Sequence, residues 1–519
     1  MNDLATSNNP YLALGVRPFI NCCSVRTMHS GSLMLPQVRA AMAEASRHFV
    51  NLDELMEKAG ERLAELTGAE WGLVTCGSAA AVALGTMACV AGNDPIKMLR
   101  LPDTTGMANR VVMMKNQRFA YDQAIRMSGT HIVEIETIKE LDRAFEEPVA
   151  MVAVLGTHEH ESAVRMEDLL ARAKPRGVPV MVDAASEHIV KPSPWLVRGA
   201  DLVIYSGGKF LRGPQTSGLL LGRKDLVQAA WRNASPHQAL GRPMKVSKED
   251  VIGLLTAVEY WMEQRDVTEE IARWQGANAE IAHIVQAVPG VRTEVVAPDG
   301  VVMVPVLRII WDRARIGVDG PGLRLAVLEG TPRIMLDDHS AKEDRINIDP
   351  FQLQPGEAAD VGRAIARALE TARIAAPHPL AEPTVDLSGE WEMRVRFLHG
   401  ERVHKVTLKQ AGNAISGEQH SPLFEGGVTG QIEGARAALS FGTRYEGSNI
   451  RYNFVGEAGP QAMSGSVTLG TSTDHHQGPL NLAQFGTAQW SATKLGTVQL
   501  PLLDHVHGAT GPVRSTSIL

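Results

Sequence analysis

The stretch Asp201–Gly218, DLVIYSGGKFLRGPQTSG, decides the fold. Its apolar run DLVIYS predicts a buried strand that ends in a Ser-Gly-Gly turn, and Lys209 follows this turn at once. A lysine between a buried strand and two turns is poorly placed for a solvated surface charge. It is well placed to become a partly desolvated amine that attacks a carbonyl and forms a Schiff base. Taken alone, Lys209 is also compatible with an ordinary surface lysine.

A second strand, in VPVMVDAASE at 178–187, places Asp183 directly after an apolar run. A carboxylate in this place suits the task of holding a proton on a pyridinium nitrogen, although an aspartate after a strand is often a helix N-cap. Lys209 and Asp183 in this order, with these turns, predict pyridoxal 5'-phosphate (PLP) chemistry.

A phosphate site is predicted where Trp71–Thr75, a short apolar strand, runs into Cys76-Gly77-Ser78 and a small-residue helix that continues to about Ala91. The free N–H groups and the dipole of a helix N-terminus favour an anion, and glycine allows close approach. A tightly packed alanine-rich core helix is the alternative interpretation.

Strands and helices alternate from about residue 70 to 225, which predicts an α/β fold with a largely parallel sheet and helices on both faces. Ligands of such sheets gather at the carboxyl ends of the strands. The predicted strand ends carry Ser78, His158, Asp183 and Lys209. The run Gly156-Thr157-His158-Glu159-His160-Glu161 lacks a spaced partner ligand, so it predicts a loop at the mouth of the site and no metal.

Composition places the chain among ordinary globular proteins: 519 residues, 44% hydrophobic, 21% charged and a formal net charge of −7. The acidic balance and the lack of a basic run argue against nucleic acid as a partner. The four cysteines have no disulfide or metal spacing, which favours free thiols in a reducing cytoplasm. The segment MNDLATSNNPYLALG lacks a basic region followed by an apolar core, so no signal peptide is expected. No apolar run reaches membrane-spanning length, so no membrane partner is expected.

The chain divides by composition and residue pattern into six segments. We predict an N-terminal arm with helices at 1–68, a cofactor-binding large domain at 69–245, and a long helix with a small α+β subdomain at 246–375. A proline-rich linker follows at 376–385, then a β-domain at 386–495 and a tail at 496–519. The β-domain has short alternating runs separated by glycines, which predicts an antiparallel β-barrel of lipocalin or avidin texture.

Several blocks resemble the selenocysteine synthase-like branch of fold-type I PLP enzymes, closest to the D-glucosaminate-6-phosphate ammonia-lyase type. They are INCCSVRTMHSG, NLDELMEKAGERLAELTGAEWGLVTCGSAAAVAL, PVMVDAASE, SGGKFLRGPQTSGLLLGRKDLV and GRPMKVSKEDVIGLLTAVE, within about residues 10–370. The resemblance implies the aspartate aminotransferase-like fold, Lys209 as the cofactor lysine, Asp183 under the pyridine nitrogen, and a homodimer or higher homo-oligomer. It further implies Gly77, Ser78 and Ser206 around the phosphate, with Gln215 and Arg242 as site residues. The β-domain lies outside the family pattern.

The resemblance implies an ammonia-lyase that acts by α,β-elimination on a small-molecule substrate, a β-hydroxy amino acid or amino-sugar acid. Lys209 is the expected general base, and His158 or Glu187 is a candidate acid for the leaving hydroxyl. Arg333 is a candidate for the substrate carboxylate because its planar fork suits bidentate binding, and Arg26 of the N-terminal arm is a further substrate candidate. Arg333 as a surface arginine is the alternative.

Three other functions stay open at this point. The first is the same cofactor used for aldol cleavage, racemisation or transamination. The second is selenium transfer on seryl-tRNA, which the acidic balance disfavours. The third is a non-catalytic ligand-binding protein whose working part is the β-domain.

Overall fold

The structure is a computed structural model that describes residues 9–298, 302–372, 380–422, 425–470 and 485–495. The chain forms two compact units, the first built mainly from residues up to 378 and the second mainly from the residues after it. No helix of the described residues is long and apolar enough to span a membrane. The predicted tail at 496–519 and residues 376–379 of the predicted linker lie outside the described residues.

The N-terminal part of the first unit is an arm followed by helices. Its elements are α1 (Pro10–Ala13), β1 (Ile20–Cys22), α2 (Pro36–Ala45) and α3 (Leu52–Thr67). Helix α3 begins where the Asn51 side chain accepts hydrogen bonds from two free backbone N–H groups, and it ends at Gly68, whose φ of 76° is left-handed.

A seven-stranded sheet forms the centre of the first unit, with strand order β2-β8-β7-β6-β5-β3-β4. All neighbours are parallel except β8, which lies antiparallel between β2 and β7. The strands are β2 (Trp71–Thr75), β3 (Arg110–Met114), β4 (His131–Ile135), β5 (Val149–Leu155), β6 (Val180–Asp183), β7 (Leu202–Ser206) and β8 (Gly218–Gly222).

Helices α4 to α10 come from the same stretch of chain. They are α4 (Ser78–Ala91), α5 (Pro95–Arg100), α6 (Gln123–Arg126), α7 (Ile138–Ala144), α8 (Met166–Ala173), α9 (Pro194–Arg198) and α10 (Lys224–Asn233). The inner strands are buried along their length, which is why their sequences read as continuous apolar runs. The predicted α/β fold with a largely parallel sheet is confirmed.

The small subdomain has its own sheet and its own apolar core. Its three-stranded antiparallel sheet has the order β12-β10-β9, and β11 pairs with β1 of the arm in parallel. Helix α11 (Lys248–Glu259) precedes the subdomain, and most of its buried apolar residues pack into the core of the large domain. The elements of the subdomain are α12 (Val267–Val285), β9 (Val291–Val296), β10 (Val306–Trp311), α13 (Gly320–Glu329), β11 (Ile334–Leu336), β12 (Arg345–Ile348) and α14 (Glu357–Thr371).

The periodicity predicts a continuous helix over about 248–265, and the chain is helical from Lys248 to Gln264. The α-helical part, α11, ends at Glu259, and Tyr260–Gln264 continues it as a wider π-helical turn. This turn presents the Trp261 indole, which donates a hydrogen bond of 2.6 Å to the Ile189 carbonyl, while the Arg265 guanidinium lies 3.5 Å from the indole centroid. The repeat of apolar residues does not encode the change from α- to π-helical form.

The second unit contains a closed eight-stranded antiparallel barrel in which each strand pairs with the next and the last pairs with the first. The strands are β13 (Gly389–Arg396), β14 (Glu401–Ala411), β15 (Ala414–His420), β16 (Glu425–Glu433), β17 (Arg436–Tyr445), β18 (Ser448–Ala458), β19 (Ala462–Gly470) and β20 (Thr487–Lys494). Alternate residues face the interior, which is mostly apolar and aromatic. The predicted antiparallel barrel is confirmed.

Candidate active site

Lys209 lies in a turn that only glycine-rich sequence can form. The turn follows β7 and folds back to β8, held by backbone hydrogen bonds from Gly207 to Ser217 (2.9 Å) and from Gly213 to Gly207 (2.8 Å). A Cβ on Gly208 would lie 2.9 Å from the Gln215 carbonyl oxygen, so the two arms of the turn meet without room for a side chain. Lys209 is half-buried, and its Nζ donates a hydrogen bond of 2.8 Å to Ser186 Oγ.

Asp183 ends β6, the strand beside β7, and pairs in register with Ile204. Its Oδ1 accepts a hydrogen bond of 2.9 Å from the Ala185 N–H, which fixes the carboxylate at the strand end. Burial raises the pKa of Asp183, while the Ala185 N–H and the charge of Lys209 act against this shift. Burial also lowers the pKa of Lys209, against the attraction of Asp183. The fold therefore brings Lys209 and Asp183 together in one desolvated site, where the charge of each acts on the pKa of the other.

A narrow corner for an anion lies where α4 begins. Gly77 precedes the helix with a φ of 129°, and no side chain caps the first N–H groups of α4. A Cβ on Gly218 would lie 2.5 Å from the Ser78 nitrogen, because β8 passes directly against this corner. Ser206 pairs with Gly218 in the sheet, so Gly77, Ser78 and Ser206 lie close together, and phosphate binding by them stays a prediction. The sequence analysis missed Gly218, whose signal was a lone glycine opening an apolar strand.

The N-terminal arm packs on the lysine turn. Gln215 Nε2 donates a hydrogen bond of 2.9 Å to the Thr27 carbonyl, and the backbone N–H and Oγ of Ser32 both donate to the Gly208 carbonyl at 3.0 Å. A Cβ on Gly31 would lie 2.5 Å from the Gly208 carbonyl oxygen. Gln215 thus joins the arm to the turn that carries Lys209.

Arg26 joins the same arm to the small subdomain. Its guanidinium forms ion pairs with both Asp337 and Asp338, which follow β11. The two carboxylates raise the pKa of Arg26, against the effect of burial. This pairing positions the arm, and substrate binding by Arg26 stays a prediction.

Three predicted site residues make no hydrogen bond or ion pair with Lys209 or Asp183 within the described ranges. His158 follows β5 and is exposed, with Nδ1 at 3.1 Å from Thr157 Oγ1. Arg242 is exposed and lies 3.4 Å from Ser235 Oγ. Arg333 donates to the Leu328 carbonyl at 3.1 Å and the Arg17 carbonyl at 3.3 Å.

These contacts give Arg333 a structural task, since its guanidinium ties the end of α13 to the arm. This is the alternative of a surface arginine that the sequence left open. Substrate-carboxylate binding by Arg333, like the roles of His158 and Arg242, stays a prediction.

The side chain of Glu187 is more deeply buried than its sequence context predicts. It is 5% exposed, and its Oε2 accepts a hydrogen bond of 2.7 Å from the Trp195 indole N–H. Oε1 occupies the space where a side chain on Gly156 would begin, and it has no hydrogen-bond partner in the described residues. Burial raises the pKa of Glu187 to about 7; the Trp195 N–H opposes this shift and the charge of Asp183 adds to it.

Ser186 and His188 flank Glu187 and were missed as site residues. Ser186 accepts the hydrogen bond from Lys209, and the His188 ring stacks on Phe210, the residue after Lys209, with ring centroids 4.1 Å apart. Their only sequence signal was the polar run that follows Asp183.

Comparison with known proteins finds relatives of several activities. The chain is 33% identical over 370 residues to a 5'-C-glycyluridine monooxygenase-decarboxylase of a Streptomyces species, a match that covers 68% of this chain and 90% of the relative. It is 30% identical over 379 residues to D-glucosaminate-6-phosphate ammonia lyase of Salmonella typhimurium, covering 71% and 99%. It is 26% identical over 410 residues to an L-seryl-tRNA(Sec) selenium transferase of Moorella thermoacetica, covering 69% and 83%.

Among solved structures, a D-glucosaminate-6-phosphate ammonia-lyase superposes with a TM-score of 0.63 at 28% sequence identity. The superposition covers 71% of this chain and 100% of that one. No family model matches the chain.

Proposed function

We propose a reaction for this chain, which belongs to the selenocysteine synthase-like branch of fold-type I PLP-dependent enzymes and is an enzyme of lyase type. The proposed reaction removes ammonia from a β-hydroxy amino acid or an amino-sugar acid. The observation that carries the proposal is Lys209, a half-buried amine that lies beside Ser186 and within the field of Asp183. The similarity to an ammonia lyase over 99% of that relative's length supports this reaction class.

The residues present fit PLP. Lys209 would hold the cofactor covalently, and Asp183 would face its ring nitrogen. The uncapped N-terminus of α4 at Gly77 and Ser78, with Ser206 beside it, would take the phosphate, because its free N–H groups need an acceptor. Any side chain at position 218 would fill this corner.

The bound cofactor supplies an electron sink for the pair of electrons left on the α-carbon when its proton is removed. Lys209 Nζ takes that proton, and its lowered pKa makes the neutral, proton-accepting amine more available. Ser186 Oγ orients the amine, and Asp183 keeps a proton on the ring nitrogen by its negative charge.

The β-hydroxyl needs a proton in order to leave as water. Glu187 is a candidate donor because its pKa of about 7 leaves much of it protonated at neutral pH. His158 is the second candidate, placed on the turn after the neighbouring strand β5. Water then returns at the nitrogen-bearing carbon as ammonia departs, so the net reaction forms a 2-keto acid and ammonia without an external oxidant.

The similarity to a monooxygenase-decarboxylase favours one second candidate, oxidative decarboxylation of an amino acid.

The test that separates the two candidates is to incubate the holoenzyme with D- and L-β-hydroxy amino acids and amino-sugar acids. Ammonia and 2-keto acid should appear in equal amounts without oxygen uptake. Carbon dioxide release with oxygen uptake would instead establish the second candidate, while substrate turnover without ammonia would favour an aldolase, racemase or aminotransferase. Lys209→Ala should lose both product formation and the visible absorbance of the bound cofactor, while Lys191→Ala serves as a lysine control outside the turn.

We also infer a homodimer or higher homo-oligomer. The arm and the segment after α2 expose large apolar side chains that an isolated chain would not favour: Met28 (63% exposed), Leu33 (55%), Phe49 (103%) and Val50 (50%). Light scattering of the purified holoenzyme tests this assembly. The four free cysteines support a reducing compartment such as the cytoplasm.

A further inference from the structure

Four ring side chains in contact with one another reach from the small subdomain to the residue after Lys209. Phe210 stacks on His188 with ring centroids 4.1 Å apart and planes at 24°, and it meets Phe351 at 76° with centroids 5.2 Å apart. His188 also stacks on Trp261, at 5.5 Å and 27°. All four side chains are buried, and stacked and edge-on rings are both favourable arrangements. We call these four residues the aromatic column.

The column joins the two loops that form the hydrogen bond between Lys209 and Ser186. Phe210 directly follows Lys209 in the turn after β7, and His188 comes two residues after Ser186 in the run after β6. The lysine side chain is long, so its hydrogen bond of 2.8 Å to Ser186 Oγ depends on how far apart the two loops lie. The stacked rings of Phe210 and His188 fix that separation.

Trp261 holds the column on the side of His188. Its indole donates a hydrogen bond of 2.6 Å to the carbonyl of Ile189, the residue after His188. The π-helical turn at Tyr260–Gln264 presents this indole, and turns of this kind are rare in proteins and frequent at functional sites. The change from α- to π-helical form therefore places Trp261 against the run that follows Asp183.

Phe351 brings the small subdomain into the column. It lies in the loop after β12, but its side chain packs in the core of the large domain and not in that of the subdomain. The Asp349 carboxylate accepts a hydrogen bond of 2.8 Å from the Phe351 N–H. Gln352 Oε1 accepts one of 3.1 Å from the Leu33 N–H of the arm. The loop is thus held on both sides of Phe351, which fixes the ring beside Phe210.

We propose that the aromatic column is a positioning device for Lys209, through which the placement of the small subdomain determines the placement of the cofactor lysine. Phe351 and His188 are its positioning residues, and both act through Phe210. The inference rests on the proposed role of Lys209 and adds to it the residues that hold this lysine in place. A displacement of about 1 Å at a reacting group lowers a rate by about 100-fold, so a loosened column alters the chemistry of the lysine.

The experiment measures how fast the full-length apoenzyme captures PLP, followed by the visible absorbance that appears when the cofactor joins Lys209. Phe351→Leu removes the flat ring, keeps an apolar side chain and should slow capture by about tenfold or more. Phe145→Leu makes the same change at a buried phenylalanine after α7, outside the column, and should capture PLP at the wild-type rate. The assay contains no substrate, so its outcome is independent of the proposed ammonia-lyase reaction.

A pair of variants at His188 separates the shape of the ring from the chemistry of its nitrogens. His188→Phe keeps a flat ring against Phe210 and should capture PLP at a rate near that of the wild type. His188→Leu removes the flat ring and should be slowed as Phe351→Leu is. Near-ultraviolet circular dichroism of each apoenzyme checks that it is folded; if one of these two leucine variants does not fold, the other decides against Phe145→Leu.

Three results would overturn the proposal. Capture at the wild-type rate by folded Phe351→Leu or His188→Leu would mean that Lys209 keeps its place without the column. Equal slowing in Phe145→Leu would mean that any loss of core packing has the same effect. Equal slowing in His188→Phe and His188→Leu would assign the effect to the ring nitrogens and not to the stacked ring.

Discussion

Replacing Glu187 with glutamine asks whether this side chain is a buried carboxylic acid that the fold prefers to keep neutral. Glu187 is 5% exposed, and the Trp195 indole donates to its Oε2 at 2.7 Å. No cationic side chain forms an ion pair with it in the part of the chain that the structure describes. Glutamine keeps the length of the side chain and an oxygen for Trp195, and it does not titrate.

The magnitude follows from the raised pKa. The folded-state value is about 7 against an ordinary value of 4.5, so the folded protein holds this proton more tightly than the unfolded chain does. Glu187 therefore contributes stability in full below about pH 4.5, and this contribution is lost as the pH rises through about 7. At about 1.4 kcal/mol per pH unit, the loss is on the order of 3 kcal/mol.

The assay is denaturant unfolding of wild type and Glu187→Gln between pH 4.5 and 8, followed by near-ultraviolet circular dichroism. The free energy of unfolding of the wild type should fall by roughly 3 kcal/mol relative to the variant across this range. Glu280→Gln, a change of the same kind at an exposed position, should follow the wild-type profile. Parallel profiles for wild type and Glu187→Gln would refute the reasoning, because they would mean that Glu187 has the same protonation in the folded and unfolded states.

Two further predictions concern the cofactor. Gly218→Ala should weaken PLP affinity by about tenfold or more, because the added methyl would lie 2.5 Å from the Ser78 nitrogen and displace the N-terminus of α4; Gly276→Ala adds the same methyl where nothing lies within 4 Å and should bind PLP normally in a fluorescence titration of the apoenzyme. Asp183→Asn should lower kcat by about 10²–10⁴-fold, because a neutral amide no longer holds the ring-nitrogen proton. Steady-state kinetics and the absorbance spectrum of the bound cofactor check this second change, and an unchanged kcat with an unchanged spectrum would contradict it.

The sequence alone predicted the turn that contains Lys209 and the strand that ends at Asp183. Both rest on local signals, namely an apolar run that must be buried and a turn that only glycine can form. The barrel was predicted for the same reason, because apolar and polar residues alternate along each strand and the apolar ones face inward. The helix over about 248–265 was predicted from the same kind of signal, but the π-helical form of its last turn was not, because Trp261 donates its hydrogen bond there to Ile189, which is far from it in the sequence.

Local patterning thus determined the α/β sheet, the alternation of its strands with helices, the barrel, and the places of Lys209 and Asp183 after two of the strands. Packing alone decided that Gly218 lies against Gly77 and Ser78, that Arg26 pairs with Asp337 and Asp338, and that Glu187 is buried beside the Trp195 indole. The physical reason is that hydrophobic periodicity is written in neighbouring residues, whereas desolvation and hydrogen-bond partners depend on which distant segments the fold brings into contact.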